Sequence, residues 1–138
     1  MRALASLDIE ADSREEAIGK AVPRECVSSV EGFLKDVMAR EAISSTDVGN
    51  GIAIPHARSR SVRESFVSFV RLRTDVGGVR YFFLLGAKED EEREYMRMLT
   101  RVARALLVDS FVEKLGSIKS ASEFERALEL AMEAVADE

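Results

Sequence analysis

The chain has 138 residues, 46% of them apolar and 33% charged, with a net charge of −5. That length holds one domain with a real core, and the acidic balance excludes a general nucleic-acid binder, which needs a basic field. The longest apolar stretches, Tyr81 to Leu85 and Ala103 to Val108, are too short to span a bilayer, the N-terminus lacks the apolar run of a secretory signal, and the one cysteine, Cys26, forms no internal disulfide and favours a reducing cytosol.

No repeat, low-complexity tract or linker divides the sequence, so residues 1–138 read as one domain. Asp12-Ser13-Arg14-Glu15-Glu16 is a capping box that starts a short helix, ending near Val22-Pro23. A second helix is predicted from Ser29 to Glu41, because Val30, Phe33, Leu34, Val37 and Met38 fall on one helical face. Ser44-Ser45-Thr46-Asp47 is a polar loop that leads into Gly49-Asn50-Gly51, a turn in which glycines supply φ > 0. Ile52-Ala53-Ile54 suits a buried strand, ended by Pro55, which has no N–H for a sheet ladder.

Phe66 to Leu72 reads as a strand, and Arg80 to Gly86, apolar on both faces, as a central strand covered on both sides. The acidic run Glu89-Asp90-Glu91-Glu92 opens a helix with Tyr95, Met98, Leu99, Val102 and Leu106 on one face. A shorter helix around Ser110 to Leu115 is expected to be closed by Gly116. Ser120-Ala121-Ser122-Glu123 is another capping box, followed by the stripe Phe124, Ala127, Leu128, Ala131, Met132 and Val135. Helices alternate with strands, which defines an α/β class with helices on both sides of one sheet.

His56, the only histidine, follows Pro55 and is expected to emerge just past a strand's C-terminal end, where ligands collect in open α/β sheets. Nucleophilic triads are disfavoured: there is no Gly-x-Ser-x-Gly elbow, and nothing marks Cys26 as reactive. One histidine and one cysteine make no usual zinc set, and no Gly-x-x-x-x-Gly-Lys-Ser/Thr loop is present. What remains is imidazole acting alone. Neutral histidine is abundant at pH 7 and can attack phosphorus through one nitrogen while the other holds a proton, giving a phosphohistidine. Backbone N–H groups of Gly49, Asn50 and Gly51 and the guanidinium of Arg40 are candidates to hold its oxygens. The plainer alternatives are an ordinary histidine, a hairpin turn and, for Arg40, a cation complementing its helix dipole.

Arg40-Glu41, Ser45-Thr46 and the unbroken run Val48-Gly49-Asn50-Gly51-Ile52-Ala53-Ile54-Pro55-His56-Ala57 resemble the fructose/mannitol type of EIIA domain from the bacterial phosphoenolpyruvate-dependent sugar phosphotransferase system. The resemblance implies a three-layer α/β/α sandwich with a mixed sheet of about five strands. It implies that His56 is phosphorylated and that Arg40 helps hold the phosphoryl group, with Thr46, Tyr95 and the glycine turn as further site candidates. It implies an HPr-type donor, an EIIB cysteine as acceptor, a cytoplasmic setting, and no metal or organic cofactor. The sequence departs from the family in two places. Tyr95 stands where a second histidine is usual, as a neutral phenolic donor or simply a core aromatic. The segment between Val70 and Tyr81 is shortened to Asp75-Val76-Gly77-Gly78.

Arg58, Arg60 and Arg63 either steer a partner by raising local positive potential or lie in an ordinary solvated segment. The leading expectation is a phosphocarrier for sugar uptake. Beside it stand a nitrogen-type regulatory EIIA and an EIIA-like interaction module that no longer relays phosphate.

Overall fold

The apolar run at Tyr81–Leu85 lies in the middle of the sheet. The computed structural model describes the backbone of residues 1–136 and the side chains of 1–134, which leaves Val135 of the last stripe outside the described side chains. In chain order the elements are β1 (Arg2–Ile9), α1 (Arg14–Ala21), a 3₁₀ turn (Arg24–Cys26), α2 (Val30–Glu41), β2 (Asp47–Gly49), β3 (Ile52–Ala53), β4 (His56–Ser59), β5 (Phe66–Val76), β6 (Val79–Lys88), α3 (Glu92–Ala105), α4 (Asp109–Lys114) and α5 (Ala121–Ala136).

The sheet has six strands in the order β1-β5-β6-β3-β2, and β4 also pairs with β6. β1 runs parallel to β5, β5 antiparallel to β6, β3 and β4 parallel to β6, and β2 antiparallel to β3, so the sheet is mixed. On one face Ala17, Ile18, Phe33 and Val37 of α1 and α2 pack on Phe66, Val70, Phe82 and Leu84. On the other, Met98, Val102, Phe111, Phe124 and Leu128 of α3, α4 and α5 pack on Val67, Phe69, Phe83 and Leu85. The alternation of β5 and β6 between these lists is the two-residue period of a strand, and it makes a three-layer α/β/α sandwich. Each fully buried phenylalanine contributes roughly 1.5–3 kcal/mol by leaving water. Gly86 makes room for one aromatic pair. A Cβ there would fall 3.0 Å from Phe33, and would come closer still to Phe66, so the edge-on Phe33–Phe66 contact could not form.

The expected caps are present. Ser13 Oγ accepts from Glu16 N at 3.1 Å and Ser120 Oγ from Glu123 N at 3.0 Å. Each returning carboxylate reaches one residue further back than a standard box, to the N–H of Asp12 and of Lys119. The Gly77-Gly78 pair, with φ of 56° and 81°, closes the β5–β6 hairpin. That hairpin carries β5 past the expected Leu72 to Val76.

Other expectations need correction. β1 lies in an N-terminal segment for which the sequence pattern predicts no element, and it is one of the six strands of the mixed sheet. Gly116 is not a left-handed helix cap, since it is not among the glycines with positive φ. Its missing side chain instead leaves space for Tyr81, whose hydroxyl would lie 3.3 Å from a Cβ. Arg71, in the buried part of β5, was not anticipated. Its guanidinium donates to both carboxylate oxygens of Asp8 and to the carbonyls of Leu115 and Ile118, tying β1 to the end of α4.

Candidate phosphoryl-transfer site

Pro55 divides what would be one strand into β3 and β4. Lacking an N–H, it costs the ladder one donor, but its carbonyl still accepts from Leu85 N at 3.0 Å. β6 is long enough to pair on both sides of the break, with Ala53 opposite Phe82 and His56 opposite Leu85. His56 therefore opens a strand rather than standing beyond one, which corrects the sequence expectation. The proline interrupts the ladder without ending the sheet.

The His56 ring is aimed by its own chain. Nδ1 lies 2.6 Å from the carbonyl oxygen of Ile54. A carbonyl only accepts, so Nδ1 carries the proton, and the neutral ring holds its lone pair on Nε2. The residue is 7% exposed. Among the described residues Nε2 finds no hydrogen-bond partner and no buried side-chain nitrogen or oxygen lacks one, so Nε2 keeps contact with solvent. Burial pushes the ring's pKa below its ordinary value and nearby Arg40 adds to this. The Ile54 carbonyl and Glu41 act in the opposite direction. The net result is a neutral imidazole near pH 7.

β4 is bordered on one side only, so both helical layers reach its open edge. Alternation along β4 puts His56 and Arg58 on the α3 side, and Ala57 and Ser59 on the α2 side. Tyr95, in the first turn of α3, has its ring centroid 5.8 Å from that of His56. The Arg58 guanidinium lies 5.8 Å from the Tyr95 ring centre and donates to the carbonyl of Glu89. Burial pushes the Tyr95 phenol up, against the pull of Arg40 and Arg58, so it stays a neutral donor. From the other layer, Arg40 in the last turn of α2 donates to the carbonyl of Ser44, and its charge is felt by both His56 and Tyr95. Asp36, Arg40, Ala57, Arg58, Glu89 and Tyr95 line a depression of about 370 Å³.

His56, Arg40 and Tyr95 thus come together. Thr46 stands behind them: its hydroxyl donates to Glu41 at 2.6 Å, and its carbonyl accepts from Ile54 N, the residue that aims the histidine. The glycine turn does not join the group. Gly49, Asn50 and Gly51, with φ of 92°, 56° and 71°, form the turn between β2 and β3. The Gly51 carbonyl accepts from Arg80 and Tyr81 at the start of β6. Gly51 and Pro55 are four steps of extended chain apart, roughly 13 Å. The turn's N–H groups are at the wrong end of the strand to cradle anything on His56.

The sequence reading gave Glu41 and Arg58 no place beside the ring. Arg58 was legible in principle, because residues i and i+2 of a strand share a face; the obstacle was that His56–Ser59 is too polar to read as a strand. Arg60 pairs with Glu89 at 2.8 Å, away from the ring, and Arg63 is exposed. Among the described residues no cluster of three or more His, Cys, Asp or Glu side chains could hold a metal ion, and no helix is long and apolar enough to cross a membrane.

The sandwich thus carries one buried, carbonyl-aimed imidazole at an open sheet edge, with guanidinium and phenol groups beside it. Residues 2–130 match the family described as phosphoenolpyruvate-dependent sugar phosphotransferase system, EIIA 2, and the chain belongs to that family. Multiphosphoryl transfer protein 1 of Escherichia coli K12 is 31% identical over 101 residues, which is 69% of this chain but only 12% of that protein. The nitrogen regulatory protein IIA-Ntr from Neisseria meningitidis superposes with a TM-score of 0.80 at 30% identity, over 90% of this chain and 92% of that one. An Escherichia coli complex of enzyme IIA mannitol with phosphorylated enzyme IIB mannitol contains a chain of the same fold, with a TM-score of 0.68 at 23% identity over 90% of this chain and 92% of that one.

Proposed function

We propose that the protein is a cytoplasmic phosphocarrier: His56 takes a phosphoryl group from an HPr-type phosphohistidine and passes it to a cysteine of an EIIB domain. In the first step the Nε2 lone pair attacks phosphorus, the new N–P bond forms, and the donor's N–P bond breaks with its electron pair returning to the donor imidazole. In the second, the acceptor thiolate attacks and the pair returns to Nε2. Such transfer needs in-line positioning and charge stabilisation. Arg40 supplies the cation, and Tyr95 a neutral hydroxyl in place of the usual second histidine. The observation that carries this reading is the 2.6 Å Nδ1 contact with Ile54, which leaves Nε2 as the free nucleophile.

A regulatory role, in which the phosphorylated state is read by another protein, is favoured by the similarity to IIA-Ntr. Both roles begin with phosphorylation. The test is incubation with phosphoenolpyruvate, enzyme I and HPr, followed by intact mass measurement. The expected result is an acid-labile gain of one phosphoryl group that is absent in His56→Ala. No gain with several competent donors would leave only an EIIA-like interaction module.

A further inference from the structure

Four arginines run along the exposed side of α3: Arg93, Arg97, Arg101 and Arg104. Among the described residues none of them takes part in an ion pair or a side-chain hydrogen bond. After Glu94 the helix carries no carboxylate to answer them. Arg93–Arg97 and Arg97–Arg101 are like-charge pairs at i, i+4, which destabilise a helix. Arg93 also sits in the first turn, where a cation opposes the helix dipole. Met96 and Leu107, 50% and 79% exposed, flank the row. Arg104 in the last turn suits the helix dipole, but helix stability does not explain Arg93, Arg97 and Arg101 in a chain of net charge −5.

The complement is on the neighbouring helix. α5 exposes Glu125, Glu129 and Glu133 at the same i, i+4, i+8 interval, again like-charged and again free of ion pairs among the described residues. Glu129 and Glu133 lie in its C-terminal half, where an anion opposes the dipole. Leu130 beside them is 46% exposed. Glu125 and Glu129 also line, with Ala3 of β1, Ser122 and Arg126, an open groove of about 720 Å³ on the β1 side of α5, and Arg126 is the one cation among its lining residues. α3 and α5 pack side by side in one layer, yet no ion pair within 4.0 Å joins their described residues.

We infer that this layer is the contact surface for a second copy of the chain, with the arginine row of α3 set against the glutamate row of α5 in the partner. A two-fold axis lying in the outer face of the layer and running between the two helices lays α3 on the partner's α5 and, by symmetry, α5 on the partner's α3, so the contact closes as a dimer. A broad anion fits less well. Nucleic acid or an anionic bilayer laid on the arginines would also meet the α5 glutamates and the Glu89–Glu92 run.

Sedimentation velocity tests this on the whole chain in about 20 mM and about 500 mM NaCl, between which the screening length falls from roughly 20 Å to roughly 4 Å. The wild type is expected to be dimeric in low salt and to dissociate in high salt. Arg97→Glu/Arg101→Glu and Glu129→Arg/Glu133→Arg are each expected to weaken self-association by on the order of a hundredfold, through like charges brought together. Their equimolar mixture is expected to form a heterodimer, with circular dichroism confirming that both variants are folded. A wild type that stays monomeric in low salt overturns the inference. So does a dimer that survives both charge reversals, or a mixture of two folded variants that does not associate. Binding of duplex DNA or phosphatidylserine vesicles by a monomeric wild type assigns the arginine row to a different anion.

Discussion

The two ends of the β3–β4 line are built for different purposes. At one end Gly49, Asn50 and Gly51 turn the chain with three successive positive φ values, and Arg14 clamps the result by donating to both Asp47 oxygens and to the Gly77 carbonyl. Every group there is spent on backbone geometry. At the other end Pro55 and the Ile54 carbonyl fix a single imidazole, while Arg40, Arg58 and Tyr95 keep donor capacity in reserve. Both ends lie in the same short motif, so a motif can be specific in sequence while only half of it is chemical. In the proposed relay the glycines serve the fold and the histidine the reaction.

The comparison breaks most visibly at Arg40. In the proposed relay Arg40→Ala removes a cation whose charge reaches the ring and is expected to slow phosphorylation by about 10²-fold. The melting temperature should stay close to wild type, because the side chain's one hydrogen bond among the described residues is an exposed contact with Ser44. Single-turnover transfer from phosphorylated HPr measures it, and an unchanged rate would remove Arg40 from the site. Gly51→Ala should do the reverse. Its φ of 71° costs an L residue about 1–2 kcal/mol, lowering the melting temperature by a few degrees while transfer is preserved. A loss of transfer in a folded Gly51→Ala protein would mean that the turn is coupled to the ring after all.

The smallest effect concerns pH. His56 has its pKa lowered, by burial first and then by Arg40. Its neutral, nucleophilic form therefore persists below the ordinary value of about 6.5, and the rate should hold through that pH and fall only further down. The linkage has a definite sign. Because the folded pKa is the lower one, the contribution to stability is complete above about 6.5 and is lost as pH falls towards the folded value, where the unfolded chain already binds the proton. An NMR titration of the single histidine checks this, and a midpoint at or above 6.5 would contradict it.

Much of the frame was legible in the sequence because its signals are local. Ser13 and Ser120 cap their helices, the α2 stripe repeats at the helical interval, and the unbroken apolar run of β6 implies cover on both faces. Elements whose stability is supplied from a distance were not legible. β1 is an edge strand rich in small residues, half-buried along most of its length, so its alternation is faint. β4 reads His-Ala-Arg-Ser and becomes a strand only because β6 runs past the proline to receive it. At the site, His56, Arg40 and Tyr95 were found by pattern, whereas Glu41 and Arg58 gain meaning only once α2, β4 and α3 converge. Arg71 was invisible for a related reason: its partners, Asp8, Leu115 and Ile118, are 44 to 63 residues away.

The Ile54 carbonyl does more than orient a ring. In the proposed relay it detains the Nδ1 proton while Nε2 gains phosphorus, so the loaded ring becomes a cation, and an N–P bond to a positively charged heterocycle is a weak one. In that scheme the weak bond favours onward transfer of the phosphoryl group. Within the same scheme one main-chain oxygen, beside a proline, governs how loosely the cargo is held.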